Sequence, residues 1–373
     1  MLRHDRLAKE RTFMMRMFLT KRLGWGGLLL GGFLLLPGNT ADAAAVIFNT
    51  GSSATASIAL GVNDEGHLNV ADPDTSTASS SGTGEVGLAF KFLDDGLFYD
   101  ATSPGCLCEG WGVSATYTGD ASAHSGYANV STDGVVNLTL DSFATDAAAG
   151  TGSFATSSVH LGSLTGLKVT QSYAVATNTS DLFKNTVTIT NDTDSTLNDV
   201  RYVRVMDWDV PHTEFDEFVT INGTGTTTLL EESDNNGFSS ADPLAAVTSF
   251  GQNNVDFFDV GPDDHGAYFR FNFGSLAAGD SYTFDIFYGA AATETLANAA
   301  IVAESIELYS LGQSTTTAGG PANFAPTFVF GFKGVGGIII DPPPVVPEPS
   351  TMALALLGLG GLAAVARRRR NRQ

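Results

Sequence analysis

Short runs in which apolar and polar residues alternate constrain the fold of this chain more than any other feature. They include residues 167–175, 268–273 and 282–288, where most alternate side chains are apolar. Because the side chains of a β-strand point alternately to its two faces, this spacing predicts strands with one buried face. Polar turn clusters, such as residues 94–96 and 278–280, separate the runs. The pattern predicts an all-β fold, a large antiparallel β-sandwich.

One short helix is predicted inside this β-rich body. Thr293 is a suitable N-cap, and apolar residues from Leu296 to Ile306 recur at helical spacing. Gly312 is a suitable C-terminal end for the helix. A last strand follows near residues 327–333.

Changes in composition delimit the body. The alternating runs lie between residues 44 and 333, and a Gly/Pro-rich segment, residues 334–346, follows them. Proline runs do not enter strand or helix interiors, so we predict an extended linker there. The body is long enough for one large sandwich or for two packed sandwich units.

The first 43 residues have the three parts of an export signal. Basic residues continue to Arg22, an apolar stretch covers residues 23–36, and residues 41–43 (Ala-Asp-Ala) provide a small-residue cleavage pattern. We therefore interpret residues 1–43 as a signal peptide with a short helix. A signal peptidase would remove it during export across the inner membrane.

The C-terminal end carries a second targeting signal. Pro347, Glu348 and Pro349 precede an apolar segment, residues 352–366, which predicts a short transmembrane helix with transient or stable membrane contact. Basic residues after an apolar helix favour a cytoplasmic end, so the arginines that follow would act as a membrane stop. These arginines are Arg367, Arg368, Arg369 and Arg370.

This order of a Pro-Glu-Pro motif, a short apolar segment and an arginine-rich end resembles the PEP-CTERM sorting signal of Gram-negative bacteria. The resemblance covers residues 347–373 and implies processing near the motif by an exosortase, a membrane cysteine transpeptidase. It also implies an exported protein of the cell surface or extracellular matrix, of the kind often associated with exopolysaccharide and biofilm. It implies almost nothing about the body.

The distribution of charge argues against nucleic acid as a partner. The formal charge is −21, and residues 44–346 hold only seven basic residues against 36 acidic ones. Nucleic-acid binding depends on clustered lysine and arginine, which this segment lacks. A strongly acidic body is instead soluble and able to attract divalent cations, which makes calcium the candidate cofactor.

Cys106 and Cys108 are the only two cysteines of the chain. Export implies an oxidising compartment, in which disulfides persist. Two cysteines at this spacing on a straight strand lie at the limit of disulfide reach, but the preceding Pro104 and Gly105 favour a turn that brings them closer. We favour a local disulfide over two free thiols.

Residues 201–211 are the most suggestive segment for a site. They are apolar on both faces, which predicts a central strand. Asp207 and Asp209 share one face near the end of this strand, about 7 Å apart. Pro211 is expected to end the strand, which would place the two carboxylates at the rim of a sheet.

Three interpretations of this pair remain open. In the first, the carboxylates bond to loop amides and pair with arginines, the candidates being Arg201, Arg204 and Arg270. In the second, they bind calcium, which prefers several oxygen ligands. Further candidate ligands would be Glu214, Asp216 and Glu217. In the third, they are the two carboxyls of a glycosidase, which lie about 5–9.5 Å apart.

The sorting signal favours a non-enzymatic surface or matrix protein associated with polysaccharide. The alternative is a secreted carbohydrate-active enzyme that uses Asp207 and Asp209. The two functions differ in where these carboxylates lie. An enzyme needs them accessible in a cleft, whereas a structural module buries or pairs them.

We expect the mature exported chain to lack both the signal peptide and the segment that follows Pro347–Pro349, because a signal peptidase and an exosortase act on the two targeting signals. Peptide mapping of secreted material measures both ends, with cell extract as the unprocessed control. Recovery of the peptide Arg367–Gln373 from the secreted protein would contradict processing.

Overall fold

The computed structural model describes residues 44–71, 84–147 and 152–340, which belong to one compact unit. Within these ranges the chain forms 21 β-strands and one α-helix, and the strands pair antiparallel. The predicted all-β class is therefore confirmed. The predicted signal helix and sorting helix lie outside the described residues.

The strands, in chain order, are β1 (Ala45–Phe48), β2 (Ile58–Val62), β3 (Val70–Ala71), β4 (Glu85–Val86), β5 (Leu88–Lys91), β6 (Phe98–Asp100), β7 (Gly110–Tyr117), β8 (Ser122–Asn129), β9 (Val135–Val136), β10 (Leu138–Thr145), β11 (Phe154–Leu161), β12 (Leu164–Val175), β13 (Leu182–Asn191), β14 (Leu197–Trp208), β15 (Glu217–Asn222), β16 (Leu230–Asp234), β17 (Phe257–Asp263), β18 (His265–Asn272), β19 (Ser281–Ala291), β20 (Leu308–Gln313) and β21 (Thr327–Lys333), and the helix is α1 (Glu294–Glu304).

Two large sheets hold most of these strands. The nine-stranded sheet has the order β10-β11-β12-β13-β19-β21-β20-β15-β17, and the six-stranded sheet has the order β16-β18-β14-β7-β8-β9. A four-stranded sheet (β1-β2-β5-β6) and the pair β3-β4 complete the described part of the fold. Strand β14, which the sequence predicts as central, lies between β18 and β7.

The two large sheets pack face to face through aromatic side chains. Phe269 of β18 meets Phe332 of β21 with ring centroids 5.1 Å apart. Tyr202 of β14 meets Phe284 of β19, also with ring centroids 5.1 Å apart. Inner faces that interdigitate in this way form the core of a β-sandwich.

Strand β10 forms one edge of the nine-stranded sheet and is interrupted by a bulge. Its pairing with β11 shifts register between Leu140 and Ser142. Asp141 lies in the bulge, where its carboxylate oxygen Oδ1 is 2.7 Å from Nδ1 of His160 on β11. A bulge and a charged side chain both break the regular hydrogen-bonding pattern of a strand edge.

Helix α1 begins after the predicted N-cap, but it ends earlier than the sequence predicts. Thr293 is the N-cap, and its side chain accepts a hydrogen bond from the backbone of Leu296. The helix ends at Glu304, and the C-cap Ser305 has a left-handed φ of 58° and an N–H that reaches helix carbonyls. The predicted end at Gly312 is wrong, because Gly312 pairs with Phe328 inside a strand.

The packed body also extends beyond its expected boundary at residue 333. Val335 is buried in the main core, and the N–H of Gly337 donates to Oε2 of Glu307 over 3.0 Å. Ile340 packs against the cluster around α1. The segment predicted as a linker therefore contributes core contacts at its start, because Val335 and Ile340 are apolar.

A buried ion pair lies in the centre of the sandwich. Arg204 of β14 and Glu109, which precedes β7, are both 0% exposed, and Nε of Arg204 donates to Oε1 of Glu109. The other two guanidinium nitrogens also donate to residues of β12: Nη1 to Oε1 of Gln171 over 2.9 Å, and Nη2 to the hydroxyl of Tyr173 over 3.2 Å. The pair thus connects the two large sheets with every charge-bearing group partnered.

We expect Arg204→Ala to reduce the free energy of unfolding by about 3–5 kcal/mol, because it leaves the buried Glu109 carboxylate without its counter-charge. Arg201→Ala is the matched control on the same strand, since Arg201 pairs with Glu231 near the surface. The Arg201→Ala substitution should reduce the free energy of unfolding by less than about 1 kcal/mol. Denaturant unfolding measures both changes, and equal costs would contradict the assigned role of the buried pair.

A buried histidine makes stability depend on pH. Burial, reinforced by the positive charge of Arg204, lowers the pKa of His67 from 6.5 to about 3. Below pH 6.5 the unfolded chain binds a proton that the native chain excludes, so this residue makes stability fall as pH decreases towards 3.

We expect His67→Gln to remove this contribution. The stability of the wild-type chain minus that of the variant should decrease as pH falls below 6.5, by up to about 1.4 kcal/mol per pH unit. Denaturant titrations at a series of pH values measure this difference. A difference that stays constant from neutral pH to pH 5 would show that His67 is not held neutral.

Candidate functional site

The carboxylates of Asp207 and Asp209 lie on the outer face of the six-stranded sheet. Asp207 is near the end of β14, on the same face as Val203 and Val205, and Asp209 follows the last residue of that strand. Asp207 is only 1% exposed and Asp209 is 0% exposed. The sequence therefore predicts their shared face, but it does not predict their burial.

Close backbone approach buries the two side chains. A Cβ atom at Gly237 would lie 2.6 Å from Cα of Asp207, so only glycine allows this loop to pack on the strand. A Cβ atom at Gly105, whose φ is +69°, would lie 3.3 Å from Oδ1 of Asp209. The loops that contain Gly237 and Gly105 thus pack directly against these two residues.

Two further acidic residues join the pair, one from the turn between β17 and β18 and one from β15. The β14–β18 register places Trp208 opposite His265, so Asp264 lies next to Asp209. One carboxylate oxygen from each of Asp207, Asp209 and Asp264 lies within 4.8 Å of the other two. We call these three residues together with Glu217 the carboxylate cluster.

Glu217, the first residue of β15, is 0% exposed. Its Oε1 accepts a hydrogen bond of 3.0 Å from the backbone N–H of His265.

Most oxygens of the carboxylate cluster have no hydrogen-bond donor among the described residues. Both oxygens of Asp209, Oδ1 of Asp207 and Oδ1 of Asp264 are buried without a partner, and so is Oε2 of Glu217. Oδ2 of Asp207 lies 3.3 Å from Sγ of Cys106, but that sulfur belongs to a disulfide and carries no hydrogen to donate. Buried polar groups are normally satisfied, so this concentration of unpaired oxygens needs a physical cause.

The arginines considered for these carboxylates pair elsewhere. Arg201 pairs with Glu231, Arg204 pairs with Glu109, and Arg270 pairs with Glu231 and Glu232. The interpretation as arginine ion pairs is therefore wrong, because β14 directs Arg204 to the opposite face from Asp207. The described lysines also have other partners: Lys91, Lys168, Lys184 and Lys333.

Burial without a counter-charge makes ionisation of the carboxylate cluster costly. Burial, with added repulsion from Asp264, raises the pKa of Asp207 to about 8. Burial and then the charge of Asp207 raise the pKa of Asp209 to about 10. Burial raises the pKa of Glu217 to about 9 against the opposing hydrogen bond from His265. Without a compensating positive charge, these groups hold protons at neutral pH.

The two cysteines lie beside the carboxylate cluster. Cys106 and Cys108 form a disulfide, with Cα atoms 5.1 Å apart. The sulfurs lie within 4.8 Å of a carboxylate oxygen of Asp207 and of each other. In the oxidised state these atoms are not thiolates, so they do not act as strong metal ligands.

Other residues singled out from the sequence have different positions. Asp216 is exposed and acts on the cluster only by raising the pKa of Asp264, a smaller effect than burial and the repulsion from Asp263. Within the described ranges, no hydrogen bond or ion pair connects Glu214 with the cluster. The sorting motif Pro347–Pro349 and the arginines Arg367–Arg370 lie outside the described residues.

Comparison with known proteins adds information about the C-terminal end. A model described as PEP-CTERM protein-sorting motif matches residues 345–370. These residues are a PEP-CTERM sorting motif. The motif implies an exported protein that an exosortase sorts to the cell surface. No family is identified for the central body.

No curated protein matches the chain. In the part of the chain that the structure describes, no helix is long and apolar enough to cross a membrane.

We expect a maleimide reagent to label neither cysteine of the folded protein before reduction and both cysteines after it, because Cys106 and Cys108 are joined. Intact-mass measurement counts the labels, with the denatured reduced chain as the control. Reduction should lower stability only slightly, because the closed loop is very short. Labelling without reduction would show that the exported protein carries free thiols.

Proposed function

We propose that this chain is a non-enzymatic surface or extracellular-matrix protein that associates with exopolysaccharide after exosortase sorting. The observation that carries this proposal is the burial of Asp207 and Asp209 beneath two loops. A glycosidase needs its two carboxyls on either side of a sugar bond, in contact with substrate. Side chains that are almost fully covered do not meet this requirement.

A groove lined in part by the residues that follow Asp209 in the chain also lacks a catalytic pair. It has a volume of about 420 Å³ and is lined mainly by apolar side chains, among them Phe92, Pro211 and Phe324. Asp94 is the single acidic residue in its lining. Hydrolysis of a glycosidic bond by the usual mechanism needs two carboxyls, so this groove favours binding over catalysis.

The outer face of the nine-stranded sheet supports contact with a polysaccharide. Hydroxyls form a row across four neighbouring strands, in the order Ser158, Thr170, Thr188 and Thr283. The hydroxyls of Thr188 and Thr283 lie 3.1 Å apart, and those of Thr170 and Ser158 lie 3.4 Å apart. Each hydroxyl both donates and accepts hydrogen bonds, which suits the hydroxyl groups of a sugar chain.

The test is co-sedimentation of the purified body with exopolysaccharide from the producing bacterium, together with an assay for new reducing ends. We expect the protein to sediment with the polymer and the number of reducing ends to stay constant. Release of reducing ends that is lost in Asp209→Asn would establish the carbohydrate-active enzyme instead. Absence of both binding and hydrolysis would exclude polysaccharide association.

We expect the double substitution Thr170→Val and Thr188→Val to weaken retention about tenfold, since it removes two hydrogen-bonding groups worth about 0.5–1.5 kcal/mol each. Valine keeps the β-branched shape, so the strands should be preserved. Thr317→Val is the matched control, because Thr317 is exposed in a loop away from this face. Equal retention of both variants would show that the hydroxyl row does not bind the polymer.

A further inference from the structure

We propose that Asp207, Asp209 and Asp264 bind one calcium ion, with Glu217 as a fourth carboxylate beside it. The site lies between the end of β14 and the start of β18, on the outer face of the six-stranded sheet. It is a structural cation site, separate from the proposed polysaccharide surface.

The first support is the spacing of the three oxygens. Calcium binds oxygen ligands at about 2.3–2.6 Å, so two ligands of one ion are at most about 5 Å apart. The oxygens of Asp207, Asp209 and Asp264 all lie within 4.8 Å of one another. One ion placed among them can therefore contact all three carboxylates.

The second support is independent of this clustering. Asp209 is 0% exposed, and neither of its oxygens has a hydrogen-bond partner among the described residues. The buried Glu109 carboxylate shows what the same fold does with a charge that is paired within the protein: Arg204, Tyr288 and the N–H of Leu68 all donate to it. One oxygen of Asp209 lies instead within 4.8 Å of an oxygen from each of two other carboxylates.

Protonation of the carboxyls explains the unpaired oxygens of the carboxylate cluster less well than a bound cation does. Protonated carboxyls that replace a cation would donate hydrogen bonds to their neighbours at about 2.5–3.0 Å. No such bond joins the members of the carboxylate cluster in the described structure, and their oxygens remain unpaired. A cation satisfies several oxygens at once without requiring them to touch.

The chemistry of the candidate ligands indicates which kind of cation the site would bind. All the candidate ligands are carboxylates, which suit hard cations such as calcium and magnesium. Magnesium usually retains several waters and takes only one or two carboxylates, whereas calcium accepts six to eight oxygens, many of them from carboxylates. Three or four carboxylates in a site covered by loops therefore favour calcium.

The test compares thermal unfolding of the full chain in EDTA, in calcium chloride, in magnesium chloride and in sodium chloride of matched ionic strength. We expect the melting temperature to increase with each tenfold rise in free calcium above the dissociation constant. Sodium chloride should give only a small shift from charge screening. Equal shifts in calcium and sodium chloride would overturn the proposal, and a larger shift in magnesium would overturn the choice of ion.

Asp209→Asn separates a calcium ligand from a purely structural carboxylate. A ligand variant should melt close to the wild type in EDTA, because Asp209 is then protonated and asparagine is a neutral side chain of the same size, and should lose the calcium-dependent increment. A structural role would lower the melting temperature in every buffer. Persistence of the full calcium increment in this variant would place the ion elsewhere and overturn the proposal.

Asp199→Asn is the matched control. Asp199 lies on the same strand, is exposed, and has a φ of 49°, which asparagine adopts as readily as aspartate. It should retain the full increment. If Asp209→Asn does not fold, Asp264→Asn repeats the test at the most exposed of the three ligands, and calorimetric titration of the EDTA-treated protein with calcium chloride measures the binding directly.

Discussion

The buried ion pair between Arg204 and Glu109 is the constraint on which the arrangement of the sheets depends. A charged pair in a sandwich core is tolerated only when each remaining donor and acceptor has a partner. Here those partners come from β12, from β19 and from the loop before β3, so the pair determines how these segments sit against β14. A shift of either large sheet would break several charge-assisted hydrogen bonds together.

Strand β14 has buried ionisable residues on both faces, and only those on the inner face have partners of opposite charge among the described residues. On its inner face Arg204 is fully partnered by protein groups. On its outer face Asp207 and the neighbouring Asp209 are buried without a positively charged partner in the part of the chain that the structure describes. Because the fold satisfies one group so completely, the unpaired oxygens on the other face are better explained by an external cation than by poor packing.

Local patterns predicted the elements of the fold, and long-range pairing determined the site. Alternation predicted β12 and the last strand, since these residues need only a buried face. Asp264 was missed because only the register between β14 and β18, which no local pattern encodes, brings it beside Asp209. The sequence prediction placed the end of the helix at Gly312, because glycine is the residue that most often adopts the left-handed conformation after a helix. In the structure Ser305 adopts this conformation, and Gly312 lies in β20, which pairs with β21.

The bulge in β10 has a consequence for an exported protein that is sorted to the cell surface. A long open strand edge recruits further chains by strand addition, and at high local concentration this leads to fibres. In β10 the register shift around Asp141 disrupts that edge and places a carboxylate in it. Strand addition by neighbouring copies is thereby disfavoured at this edge, so the bulge protects β10 from serving as a template for fibres.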